Sequence, residues 1–227
     1  MEYADNIFRQ GEELLGALRG SAAAGRTVLR VGAVSTLSRN FQLSWLKPLI
    51  GRGDVELVLR SGMMRELLVQ LGAHTLDVVL TNTVVARDAA TPWRIHKIGE
   101  QDVSIVGRPG RRRRAFRFPE DLAHVPVVLP GPESSIREGF DTLMERAGVR
   151  PQVLAEVDDM AMLRLMARES HGVALVPPVV VADELARRVL VERARIPGLR
   201  EVFYAVTATR HFSHPLLKVL LAAAQPR

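Results

Sequence analysis

The chain has 227 residues, 47% of them apolar, enough for one large α/β domain or two small ones with a real core. It contains no cysteine, which excludes disulfides and thiolate-held metals and fits a reducing cytoplasm. Its formal charge of +6 is local: six arginines lie between Arg108 and Arg117 with no acid among them, and the remainder balances at 25 basic against 25 acidic residues.

Residues 2–19 open the chain with a helix pattern, in which Tyr3, Ile7, Leu14 and Leu18 form one stripe that Phe8 and Leu15 widen. A lone amphipathic helix must bury that stripe, either in a dimer seam or against the body that follows. Six charged residues within Met1–Gly20 rule out a secretory leader there, and the small residues from Gly20 to Gly25 read as a linker.

An alternating rhythm follows. Strands are expected at 27–33, 55–59 and 76–80, and helices at 37–50 and 63–71. Two strand-like stretches come next, 93–98 and 103–107, and then the arginine run beside Pro109-Gly110, which reads as a solvated loop rather than a nucleic-acid contact. The rhythm restarts with strands at 125–129, 152–157 and 172–176, and helices at 134–147, 159–168 and 179–186. Strands at 189–192 and 202–208 and a helix at 215–224 close the chain. The longest apolar run, Gly172–Ala182, has eleven residues and two prolines, far short of the roughly 18 that span a bilayer. Strand–helix repetition predicts right-handed crossovers in largely parallel sheets, divided into two similar lobes.

Ligands of such folds sit outside the carboxyl ends of the strands. That rule nominates Ser35, Thr36, Leu37 and Ser38 after the first strand, Ser61 and Met63 after the second, and Thr81 and Asn82 after the third. The other half of the chain offers Gly131, Ser134, Ser135, Asp158, Asp159 and Val176. Ser38, Ser134 and Asp158 are also ordinary helix-capping residues, so the site rests on their clustering. Three converging helix starts favour an anion by roughly 1–3 kcal/mol. A carboxylate about 4 Å from an anionic ligand costs about 4 kcal/mol at an effective dielectric of about 20, so Asp158 or Asp159 turned into the crevice would reverse that preference.

Little here suggests catalysis. His211-Phe-Ser-His214 lacks a third metal ligand, the Gly51–Gly53 and Gly107–Gly110 spacings match no phosphate loop, and no G-x-S-x-G elbow occurs. An enzyme is therefore not expected, nor a cofactor.

The order of elements resembles the effector-binding part of LysR-type transcriptional regulators, and within that family the NhaR-type subgroup. The stretches that carry the likeness are Tyr3–Phe8, Val31–Ser38, Leu76–Leu80, Leu129–Gly131, Glu156–Asp159 and His214-Pro215. The resemblance implies an α/β fold of two Rossmann-like lobes with a hinge, like type 2 periplasmic binding proteins, preceded by a linker helix. It divides the chain into a linker and dimerisation helix at 1–20, a first lobe at 26–99 plus 202–227, and a second at 100–201. It further implies a small-molecule or ion effector, a cytoplasmic homodimer or homotetramer, and DNA contact only through a winged helix-turn-helix that is absent from this sequence. The subgroup implies control of sodium/proton antiporter genes, with Asp158 and Asp159 as oxygen donors to sodium. A transport solute-binding protein is the alternative on the same fold.

Overall fold

The computed structural model describes residues 26–85, 93–110, 115–209 and 214–223. The leader-helix pattern at 2–19 and the run Arg111–Arg114 lie outside them.

Eight strands form one mixed sheet in the order β2-β1-β3-β8-β4-β7-β5-β6. The strands β1 (Thr27–Val34), β2 (Val55–Gly62) and β3 (Val78–Thr81) are mutually parallel, as are β5 (Val127–Pro130), β6 (Val153–Val157) and β7 (Val173–Val176). Between the two sets run β4 (Trp93–Gly107) and β8 (Val191–Ala208), antiparallel to each other over their whole length. The sheet is therefore mixed rather than largely parallel. Each pair of short strands expected at 93–98 and 103–107, and at 189–192 and 202–208, is one long strand.

Register shows where the crevice must lie. Thr81 at the end of β3 sits beside Tyr204, which pairs with Lys97, while Val176 at the end of β7 pairs with Ser104. Both parallel sets thus point their carboxyl ends toward the middle of the two long strands, near residues 98–103 of β4. There β8 carries a bulge: Asp102 pairs with Arg200 but Ser104 with Arg195. The looped-out Ile196-Pro197-Gly198-Leu199 turns at Gly198, whose φ of 73° suits a residue without Cβ. Ile196 and Leu199 drop into the core, and Leu199 lies so near Gly139 that a Cβ there would be 2.6 Å from it.

Buried apolar side chains gather on either side of this crossing. One cluster joins Leu29, Leu37, Leu67, Leu80, Phe203 and Leu220. The other two hold Val103, Leu129, Phe140 and Leu175 on one side of the sheet, and Val106, Val128, Leu163 and Val181 on the other. The short strands β3, β5 and β7 are buried at every position, as expected for strands covered on both faces.

Helices follow the strands nearly as the periodicity predicts. After β1 comes α1 (Arg39–Leu46), shorter than expected because Pro48 has no N–H with which to continue it. Next are α2 (Met64–Gly72), α3 (Arg137–Ala147), α4 (Met160–Glu169), α5 (Ala182–Ala186) and α6 (Pro215–Ala223). A left-handed Gly148 stops α3, and its N–H reaches back to Met144 and Glu145 carbonyls. A 3-10 turn, Pro178–Val181, links β7 to α5. Among the described residues no helix is long and apolar enough to cross a membrane.

Candidate effector cleft

On the side of the crevice built by β1–β3, the residues nominated from sequence form a connected network. Thr36 Oγ1 donates to Asn82 Oδ1 at 3.0 Å, and Asn82 Nδ2 donates back to the Thr36 carbonyl at 3.3 Å. The loops after β1 and β3 are thereby locked together. Ser38 caps α1, its Oγ accepting from Phe41 N at 3.3 Å, and Arg39 donates to Ser61 Oγ at 2.5 Å. Thr81 turns away to bond with Thr83. Leu37 is wholly buried in the apolar cluster, so only its backbone remains for a ligand, and its carbonyl already accepts from Gln42. Ser35 is exposed, and Met63 stands at the rim with 70% of its surface exposed.

The opposite side is assembled differently. Gly131 donates to the Val157 carbonyl and lies against Asp158, where a Cβ would sit 3.4 Å from the Asp158 Cβ. Asp159, not Asp158, caps α4: its Oδ1 accepts from Ala161 N at 2.6 Å and Met162 N at 3.0 Å. The cap falls one residue late because Asp158 is taken up in the bend and Asp159 is the last extended residue. Asp158 is exposed. Ser134 caps nothing: α3 starts at Arg137, and the Ser134 hydroxyl is buried with no partner among the described residues. Ser135 is exposed, while Val176 is buried against Ser104 in the sheet.

Two bonds cross between the halves. Asn40 Nδ2 donates to the Val180 carbonyl at 3.2 Å, and Val179 N donates to Gln101 Oε1 at 2.8 Å. They bring the start of α1 and the turn after β7 together over the middle of the long strands. Phe41 stacks on Phe203 beneath them, with ring centroids 3.8 Å apart.

The most unusual group here was not among those nominated. Glu201, directly opposite Gln101 in the ladder, is only 1% exposed and accepts from Asn82 Nδ2 at 2.7 Å. It forms no ion pair among the described residues. Burial pushes its carboxyl up to about 7, against the opposing pull of the Asn82 bond. Its sign in the sequence was available: on a strand, residue 201 shares a face with the apolar residues Phe203 and Ala205. Among the described residues no three His, Asp or Glu side chains are placed to hold a metal ion together.

The comparisons agree with this architecture. A family model described as the LysR substrate binding domain matches residues 22–227. The transcriptional activator protein NhaR of Escherichia coli (strain K12) is 23% identical over 219 residues, covering 95% of this chain and 71% of that protein. Among solved structures, CbnR, a LysR family transcriptional regulator, superposes with a TM-score of 0.68 at 18% identity, over 99% of this chain and 78% of that one. The bromide-bound regulatory domain of HypT from Salmonella typhimurium does so with 0.65 at 15% identity, over 90% and 100%.

Proposed function

The chain belongs to the LysR substrate-binding domain family, and from that premise we propose that it is the effector-sensing part of a bacterial LysR-type transcriptional regulator. It takes a small polar ligand or ion between its lobes and releases it chemically unchanged. Residues 26–99 with 202–227 form one lobe and 100–201 the other, and the chain works as a cytoplasmic homo-oligomer that reaches DNA through heads outside this sequence. Residues 1–20 would carry the change to those heads.

One observation supports this reading above the rest: the bonds from Asn40 to Val180 and from Val179 to Gln101 tie the lobes across the strands that connect them. A ligand seated under those ties favours whichever lobe arrangement gives it more contacts, and it shifts the equilibrium only by that difference. The binding wall is drawn from Ser35, Thr36, Ser38, Asn82, Ser134 and Asp158. Kinship with NhaR favours a response to ions. A bromide ion is bound in the HypT domain of the same fold, so ions of either sign come into question for the family.

A reporter driven by the full-length regulator, challenged with a panel of salts and small acids, tests the placement. The double variant Ser35→Val/Thr36→Val is expected to lose the response while keeping its abundance and DNA binding. An unchanged response would move the site elsewhere.

A further inference from the structure

We propose that the hydrogen-bonded chain Thr36–Asn82–Glu201 is the part of the cleft that reads the effector, and that it selects a small monovalent cation, a metal ion or an ammonium group, held by Glu201 Oε2. The proposal rests on the cleft reading above and deepens it.

The argument is an inventory of donors and acceptors. The Thr36 hydroxyl has one proton, spent on Asn82 Oδ1. The Asn82 amide has two, given to Glu201 Oε1 and to the Thr36 carbonyl. Turning that amide over would aim its oxygen at both of those oxygens, so the network fixes its orientation. Nothing in the chain is left to donate. What it presents are unused lone pairs: Oε2 of Glu201, to which no hydrogen bond runs from the described residues, and the remaining acceptor positions of Asn82 Oδ1 and Thr36 Oγ1. A ligand that enters must therefore bring protons or positive charge.

The surroundings supply no competing cation. Opposite on β4, Gln101 is neutral and already accepts from Val179 N. Next along β8, Arg200 is on the other strand face, bonded to Asp102 at 2.8 Å and Glu100 at 3.1 Å. From α1, Arg39 is bonded to Ser61 and Asn40 to Val180. The turn Pro178–Val181 has no charged residue, and across the crevice Asp158 is a further acid. The second buried glutamate makes the contrast: Glu184 accepts from Arg164 Nε at 2.8 Å, so its charge is matched within the fold. Glu201 has an amide where Glu184 has a guanidinium. A buried carboxylate without a counter-charge either holds a proton or awaits a cation, and the two compete for it.

Isothermal titration of the whole chain tests this, with sodium chloride and methylammonium chloride added separately against a tetramethylammonium chloride background. One of the two is expected to bind at pH 8, about tenfold more weakly at pH 6 as the proton competes. Glu201→Gln should abolish binding at both pH values, Glu201→Asp should weaken it, and Asp158→Asn should leave it. Circular dichroism would show the variants folded. Binding by Glu201→Gln equal to that of the unaltered chain overturns the assignment, as does the absence of binding by both salts. In the latter case, binding of sodium acetate would show that the cleft takes an anion, so the effector reading survives while the cation fails.

Discussion

On the lobe carrying β1–β3, the strand-end residues have spent their hydrogen bonds on one another: Thr36 on Asn82, Asn82 on Glu201, Arg39 on Ser61. On the lobe carrying β5–β7, they have not. Asp159 serves its own helix, Asp158 is exposed, and the Ser134 hydroxyl is buried without a partner. The first wall is set before any ligand arrives, whereas the second holds valences that a ligand could fill. That difference suits a sensor, since a ligand docking on the fixed wall can draw in the other one by offering it the bonds it lacks.

The largest test acts on Glu201. Its ordinary value is 4.5, and burial raises it to about 7. Below 4.5 the carboxyl is protonated whether the chain is folded or not, and it has no effect on stability. Between 4.5 and 7 the unfolded chain ionises first, so stability falls as pH rises. Above 7 the loss is complete, at about 3 kcal/mol. Glu201→Gln should therefore raise the midpoint of thermal unfolding at pH 8 and leave it nearly unchanged at pH 4.5. An equal shift at both would show that the fixed wall is not held at the expense of a buried charge.

A smaller effect separates the two helix caps. Asp159 accepts two backbone N–H groups at 2.6 and 3.0 Å and places negative charge at the positive end of α4, while Ser38 accepts one at 3.3 Å. Asp159→Ala should cost about 1–2 kcal/mol in urea unfolding and Ser38→Ala about 0.5–1 kcal/mol. The reverse order would mean that Asp159 is not committed to its helix and remains available to a ligand.

Much of the frame can be read without coordinates. The short buried strands are bounded by turn residues, the helices keep their apolar period, and Ser38 stands where a cap belongs. What eluded the sequence has physical causes. Gly99–Asp102 and Pro197-Gly198 look like breaks, yet β4 runs through the first, and β8 absorbs the second as a bulge that buries Ile196 and Leu199. Asp158 and Asp159 are equivalent to any propensity, and only the backbone bend decides which one caps. Glu201 looked like a solvated charge on a strand, because a lone acid among alternating residues usually faces water. Its depth comes from Asn82, 119 positions away in the chain, and short-range pattern carries no record of that pairing.

The smallest expected change is the one that bears most directly on the second wall. Ser134 is 3% exposed and its Oγ has no partner among the described residues, so its hydroxyl was removed from water without a replacement bond. Ser134→Ala removes that unmet group and leaves the Cβ packing alone. It should therefore hold stability constant or raise it by up to about 1 kcal/mol. Thr36→Val on the first wall should do the opposite, since it breaks a formed bond and releases Asn82. If the Ser134 hydroxyl is reserved for the effector, the same alanine variant would lose effector response in the reporter while gaining stability, which is how a residue kept for binding behaves. Were Ser134→Ala destabilising instead, the hydroxyl would have a partner within the fold, and the second wall would be as fully set as the first.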